Sequence, residues 1–359
     1  MTALRTRGRM GAEHMTDQDE SLDLREALEA VASGRTLSVA EAEAVFDQFM
    51  AGTASEAQMA GILVGLRAKG IEPSEVAGGV RALRKAMLPV AASDPERLVD
   101  TCGTGGGTVT TFNISTLSAL VTAGAGVPVA KHGNRSFTSK CGSADVLEAL
   151  GVDIELTPQR MGEVLEEAGI VFMFAPLLHP AMRHVGPVRR ALGISTIMNI
   201  LGPLTNPAGA RRQVVGVADP ALLDLIPGAL QELGHLRALV VHGAPGMDEV
   251  SPLGVTRVVE LHDGDLREYE ITPEQLGVER PTLEELAGGD PARNAAIVEA
   301  VLAGKGGAAR SAAVVNAAAA LLVGGAADDW ESAARLAEKS IDEGKAAEAL
   351  ERLRSASAG

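Results

Sequence analysis

The chain has 359 residues, enough for one large domain or two of ordinary size, and its 46% hydrophobic residues exclude wholesale disorder. Asp and Glu number 47 against 32 Lys and Arg; the resulting charge of -15 makes the chain a poor general binder of nucleic acid, since neutralising a phosphate backbone takes clustered cations. Two cysteines, Cys102 and Cys141, are too few for a disulfide framework or a zinc site, and no run of about 18 apolar residues marks a membrane span.

Residues 1–20 are basic with no apolar stretch behind them, so they read as a disordered tail rather than a secretory signal, and the chain reads as cytoplasmic. Residues 21–90 carry a helical pattern without a strand. Ser38 is an expected N-cap with Glu41 at the capping-box position, and Gly70 closes one helix before Pro73 opens the next. From residue 98 short apolar runs alternate with helical stretches. Strands are expected at 98–100, 127–131, 152–155, 170–175, 214–218, 238–243 and 257–261. Such alternation implies right-handed crossovers and a mainly parallel sheet. Six Phe, one Tyr and one Trp leave the packing to Ala, Val, Leu and Ile, which suits helices laid closely on that sheet. From about residue 291 the chain is helical and Ala-rich. Its RSAAVVNAAAALLV stretch is apolar nearly all round and expected to be buried, and IDEGKAAEALERLR reads as a last, amphipathic helix. The expected fold is α/β: a small N-terminal helical domain and a larger α/β domain with a mainly parallel central sheet.

Ligands of such sheets sit beyond the carboxyl ends of the strands, which directs attention to four loops. The first runs from Asp100 to Thr116, DTCGTGGGTVTTFNIST, between a strand and an apolar helix. Its glycines let backbone N–H groups turn toward an anion, and the helix N-terminus adds favourable partial charge. The alternative is a tight structural turn capped by Asn113 or Ser115; neither a Walker loop nor a dinucleotide fingerprint is present. The second, VAKHGNRS, places Lys131, His132, Asn134 and Arg135 directly after a strand, cations and donors suited to phosphate; a solvated polar loop is the alternative. Ser143 and Asp145 just beyond it read as helix caps.

In the third loop His179, His184, Arg189 and Arg190 approach one another in sequence with no carboxylate or Cys to complete a metal set. A histidine there reads more simply as a packed core residue, and either arginine could clamp a carboxylate bidentately. The fourth, VVHGAPGMDEVSP, presents Asp248 and Glu249 after a strand, either hard oxygen ligands for Mg2+ or an exposed acidic turn. Together the loops describe a Mg2+-bound polyphosphate beside a carboxylate-bearing molecule, and favour group transfer from a phosphorylated donor.

GTGG at 103–106, TFNIST at 111–116, KHGNR at 131–135, GSADVLEALG at 142–151, PVRR at 187–190 and LGPLTNPA at 201–208 occur in that order. With them the chain resembles the anthranilate phosphoribosyltransferase family over nearly its whole length. The resemblance implies a helical domain over 21–90, an α/β domain over 91–185 and 209–359, and a segment near 186–208 that returns to the helices. It implies an active site in the cleft between the domains and a homodimer formed through the helical ones, with no membrane or nucleic-acid partner. It also implies that Gly103, Thr104, Gly105, Gly106, Thr111, Asn113, Ser115, Thr116 and Lys131 hold phosphoribosyl pyrophosphate. Ser115, Asp248 and Glu249 would serve Mg2+. Gly103, His132, Asn134, His179, Arg189 and Pro203 would contact anthranilate or line its route.

Two positions depart from the family pattern: Gly107 stands where Asp is usual, and Ser195 where Arg is common. The first bears on metal dependence and donor affinity. The competing readings are a pyrimidine nucleoside phosphorylase, to which these loops are less similar, and a non-catalytic nucleic-acid-binding relative, against which the net charge argues.

Overall fold

The structure is a computed structural model that describes residues 23–107, 109–136 and 140–359. The tail expected at 1–20 lies outside the described residues. Four helices come first: α1 (Leu24–Ala32), α2 (Val39–Ala51), α3 (Glu56–Lys69) and α4 (Pro73–Ala86). Their ends follow the sequence signals. Ser38 Oγ accepts from Glu41 N at 3.3 Å while Glu41 returns a carboxylate to Ser38 N at 2.8 Å, and Pro73 opens α4.

The α/β part then runs β1 (Val99–Gly103), α5 (Ile114–Gly124), β2 (Val129–Gly133), α6 (Ser143–Ala149), α7 (Pro158–Ala168), β3 (Ile170–Phe174), α8 (Ala175–Leu178), α9 (Met182–Leu192) and α10 (Met198–Leu201). It continues through β4 (Arg212–Gly216), α11 (Leu222–Glu232), β5 (Arg237–Gly243), β6 (Thr256–His262), β7 (Asp265–Ile271), α12 (Pro291–Leu302), α13 (Ala308–Val323), α14 (Trp330–Asp342) and α15 (Lys345–Ser357). Among the described residues the strands form one seven-stranded sheet in the order β3-β2-β1-β4-β5-β6-β7. Pairing is parallel from β3 to β5, and β6 and β7 add antiparallel. Among the described residues no helix is long and apolar enough to cross a membrane.

The sheet separates two cores because successive strand residues face opposite sides. Val214, Leu239 and Val241 join a core with the Ala-rich helix α13 and with α5, α7, α14 and α15. Their neighbours Val215, Val217, Ala238 and Val240 join a second core with Phe46, Phe49 and Leu63 of the helical region. Val185 and Val188 of α9 and Met198 and Leu201 of α10 belong to that second core, so the segment between β3 and β4 packs on α2, α3 and α4. The exposed Ser195 contributes its carbonyl to Arg67 at 2.6 Å.

Three expectations differ from the structure. Residues 152–155 form no strand and pair with none among the described residues: Val152 and Ile154 are buried, and Asp153 N donates to Ser357 Oγ at 3.1 Å, so the alternation reflects burial beside the last helix. Strand β7 escaped notice because its residues are mostly exposed and polar; the signal for it was the Asp263-Gly264 hairpin turn, with φ of 50° and 87°. The C-terminal amphipathic stretch is two helices, broken at Gly344 with φ of 72°.

Candidate active site

Strand order reverses between β1 and β4: β2 and β3 lie on one side and β5 on the other. The carboxyl ends of β1 and β4 therefore diverge into a crevice, the usual place for a ligand in such a sheet. The Gly-rich loop leaves β1 there. Thr104 N donates to the Gly216 carbonyl at 2.9 Å, and Gly105 and Gly106 take φ of 67° and 78°, which a side chain would strain. The loop carrying Asp248 and Glu249 lies across both strand ends. A Cβ at Gly103 would collide with Asp248 Oδ2, and one at Gly216 with the Asp248 carbonyl, so this approach requires glycine on both strands. Gly105 N donates to Asp248 Oδ2 at 2.9 Å, closing the first loop onto the fourth.

Lys131, from the end of β2, reaches beneath α5. Its Nζ donates to the Thr101 carbonyl at 2.7 Å and to Ser115 Oγ at 3.2 Å, and the side chain is buried. Burial lowers its pKa, against the attraction of Asp100, Cys102 and Glu249. Glu249 lies deep in the protein, keeping some surface at the crevice, and accepts from Ser115 N. Burial, and then the neighbouring Asp248, push it up to about 8. A second positive charge would relieve both carboxylates, and Ser115 Oγ, Asp248 and Glu249 offer only oxygen, the donor set Mg2+ prefers. Among the described residues no group of three or more His, Cys, Asp or Glu could hold a metal alone, so an ion here would need oxygens from a substrate. Burial, followed by Asp100, raises the Cys102 thiol well above its ordinary range, which excludes a thiolate nucleophile.

Asp100 organises this floor, a role the sequence analysis did not assign. It is fully buried, with Oδ1 accepting from His132 N at 3.2 Å and Oδ2 from Asn206 Nδ2 at 2.9 Å. Asn206 also donates to the Ala130 carbonyl at 2.8 Å, tying the LGPLTNPA segment to the strands that carry Lys131 and His132. A lone acid in an otherwise apolar strand was the available signal.

Beside the phosphate-type pocket the imidazoles of His132 and His179 meet, Nε2 to Nε2 at 3.1 Å with ring centroids 5.1 Å apart. Burial takes His132 down to about 3 and His179 to about 4, so both are neutral at pH 7. Arg189, in the last turn of α9, is half-buried without an ion-pair partner among the described residues, and burial lowers its pKa. Pro203 sits on the crossing segment, its carbonyl accepting from Gln213 Nε2 at 2.6 Å. Asn134 Oδ1 accepts from Arg135 N at 2.7 Å; Arg135 itself turns to Asp145 at 2.8 Å and to Glu148. Asp145 caps α6 through Gly142 N at 2.7 Å, as expected.

Some expected residues lie elsewhere. Thr116 is buried, its hydroxyl has no partner among the described residues, and it lines an interior space with Ala119, Leu120, Lys131, Leu147 and Phe172. The reason is helical phase, which turns Thr116 inward while its neighbour Ser115 faces Lys131. Asn113 does not cap α5 through its side chain; it accepts from Asn294 Nδ2 at 2.8 Å and donates to the Cys141 carbonyl at 3.1 Å. Thr111 is half-buried near Gly288. At Gly107 a Cβ would meet Ala218 Cβ and the Gly246 carbonyl, each at 3.3 Å.

Residues 95–347 match the α/β domain of a glycosyl transferase family, and residues 25–87 match that family's helical bundle domain. The anthranilate phosphoribosyltransferase of Moorella thermoacetica is 49% identical over 330 residues, covering 92% of this chain and 97% of that one. The crystal structure of the Thermus thermophilus enzyme superposes with a TM-score of 0.88 at 44% identity, over 93% of this chain and 99% of that one. The Saccharomyces cerevisiae enzyme, in complex with PRPP (phosphoribosyl pyrophosphate) and Mg, does so with a TM-score of 0.83 at 26% identity, over 96% and 99%. The chain belongs to the anthranilate phosphoribosyltransferase family.

Proposed function

We propose that the chain transfers the phosphoribosyl group of phosphoribosyl pyrophosphate to the amine of anthranilate, releasing pyrophosphate, as a step of tryptophan biosynthesis. The observation that carries this reading is the convergence of three sequence-distant loops: Lys131 Nζ stands 3.2 Å from Ser115 Oγ, Ser115 N donates to Glu249, and Gly105 N donates to Asp248. Around that point the Gly-rich loop (Gly103, Thr104, Gly105 and Gly106), the N-terminus of α5 and Lys131 hold the donor's phosphates. Ser115, Asp248 and Glu249 hold Mg2+, which when bound neutralises charge on the departing pyrophosphate. Asn134 and Arg189 orient the anthranilate carboxylate, with His132, His179 and Pro203 beside its ring.

The amine attacks C1 of the ribose as the bond to pyrophosphate breaks, through a transition state of oxocarbenium character. Lys131 and the loop N–H groups stabilise the negative charge growing on the leaving group. An aryl amine is unprotonated at neutral pH, so attack needs no strong base, and holding the two substrates in line supplies much of the acceleration. In this reading the domains divide at about residue 90, with 186–208 returning to the helices and the cleft between the domains; the packing of α9 and α10 on α2, α3 and α4 supports it. A cytoplasmic homodimer through the helical domain completes the reading; the exposed Val64 of α3 and Ile194 after α9 offer apolar surface for it.

The test is the loss of anthranilate fluorescence with phosphoribosyl pyrophosphate at several Mg2+ concentrations. Consumption that needs both donor and metal supports the proposal and shows what Gly107 does to metal dependence. No turnover by folded protein at any Mg2+ concentration would overturn it.

A further inference from the structure

Helix α13 buries every residue from Ala312 to Val323, and Asn316 carries the only polar side chain among them. A buried amide is unfavourable unless its donors and its acceptor are all paired. Asn316 meets that condition. Its Oδ1 accepts from Val250 N at 2.8 Å, and its Nδ2 donates to the Val250 carbonyl at 2.8 Å and to the Ala312 carbonyl at 3.0 Å. A backbone N–H can only donate, so it must face Oδ1, and the two Nδ2 protons fall to the two carbonyls. The bond to Ala312, one turn back on the same helix, locks the amide in that orientation. Val250 belongs to no strand, so this one side chain supplies the double pairing that a neighbouring strand would give its backbone.

Val250 follows Glu249 directly, and its N–H lies in the peptide unit that joins the two. The clamp therefore fixes the downstream end of the Asp248–Glu249 pair. The upstream end is fixed at Met247, whose N–H donates to the Gly243 carbonyl at 2.7 Å and whose carbonyl accepts from Gly243 N at 3.0 Å. Met247 and Val250 are both buried, so the two acids span the short gap between anchored neighbours. Helix α13 also packs on α5, whose first turn carries Ser115, with the Ala313 carbonyl accepting from Ser118 Oγ at 3.5 Å. One buried helix thus references all three oxygen-bearing residues to each other.

We propose that Asn316 is a positioning residue for the Mg2+ ligands Asp248 and Glu249, acting through the Val250 backbone to set how strongly the metal supports donor binding. This rests on the metal-assisted transfer reading above. Groups that orient metal ligands without touching the ion typically change metal affinity or activity by about 10- to 100-fold when removed.

Calorimetric titration of the full chain with phosphoribosyl pyrophosphate, with and without Mg2+ and in the absence of anthranilate, reads this directly. Asn316→Ala matches its neighbours on α13 and keeps the helix, while Asn316→Gln keeps the amide but reaches Val250 only by displacing it. Circular dichroism checks that each variant is folded, and the second serves if the first is not. Each is expected to lose about 10- to 100-fold of the tightening that Mg2+ gives the donor, with donor affinity in the absence of metal and the anthranilate KM unchanged. A folded variant in which Mg2+ tightens donor binding as in the parent would overturn the proposal and leave Asn316 a satisfied core amide. An equal loss with and without Mg2+ would overturn it too, since the whole loop would then have moved. Were Mg2+ to leave donor binding by the unsubstituted chain unchanged, the metal reading itself would fail and take this role with it.

Discussion

His235→Leu removes an imidazole buried between α11 and β5, where neither ring nitrogen has a hydrogen-bond partner among the described residues. The Leu230 carbonyl beside it is already taken by the His235 backbone N–H at 3.0 Å. Burial, with the Arg84 and Arg211 charges nearby, takes the ring down to about 3 from an ordinary 6.5. The sign follows from linkage. Between pH 6.5 and 3 the unfolded chain binds a proton that the folded chain refuses, so stability falls as pH falls through that window. At pH 7 both states are neutral and the term is absent. At pH 5 the unfolded state gains about 1.5 pH units of protonation, about 2 kcal/mol at 1.36 kcal/mol per unit. Leucine, of similar size and with no polar atom to bury, is therefore expected to leave stability at pH 7 unchanged or higher by up to about 1 kcal/mol. At pH 5 it is expected to exceed the parent by a further 2 kcal/mol or so. Urea unfolding followed by circular dichroism at both pH values gives the difference. A variant whose advantage does not grow between pH 7 and pH 5 would show that His235 is protonated in the folded state, and the reasoning would fail.

Three further outcomes are expected. Lys131→Met takes away the cation beneath α5, and turnover at saturating donor should fall about 10²–10³-fold, the usual effect of losing one stabilising group at a developing charge; near-native turnover would remove Lys131 from that role. Arg189→Met should raise the anthranilate KM about 10- to 100-fold while leaving the donor KM alone, as for a lost charge-assisted hydrogen bond, and an unchanged anthranilate KM would place the carboxylate elsewhere. Glu75→Ala strands the buried Lys69 ammonium, bonded at 2.9 Å, and the N–H groups of Leu37 and Glu72, so denaturant unfolding should show a loss of about 3–5 kcal/mol. A loss below about 1 kcal/mol would mean that water replaces the carboxylate there.

Much of the fold and part of the site lay open in the sequence by itself. Capping at Ser38, the stop at Gly70 and start at Pro73, the alternation of strand and helix and the burial of α13 are local events, set by neighbours a few residues apart. The loops after β1, β2 and β5 were legible for the same reason: a strand end, glycines and charged side chains stand together in the chain. What required the tertiary structure is pairing across distance. No local pattern could say that residues 152–155 would meet a C-terminal helix instead of a strand, or that the exposed, polar β7 would close the sheet edge. Helical phase decided that Ser115 faces Lys131 while Thr116 turns into the core. The Asp100–Asn206 bond joins residues 106 apart, and the His132–His179 bridge joins residues 47 apart. Those contacts exist because parallel crossovers carry the chain back to the same end of the sheet, where loops far apart in sequence converge.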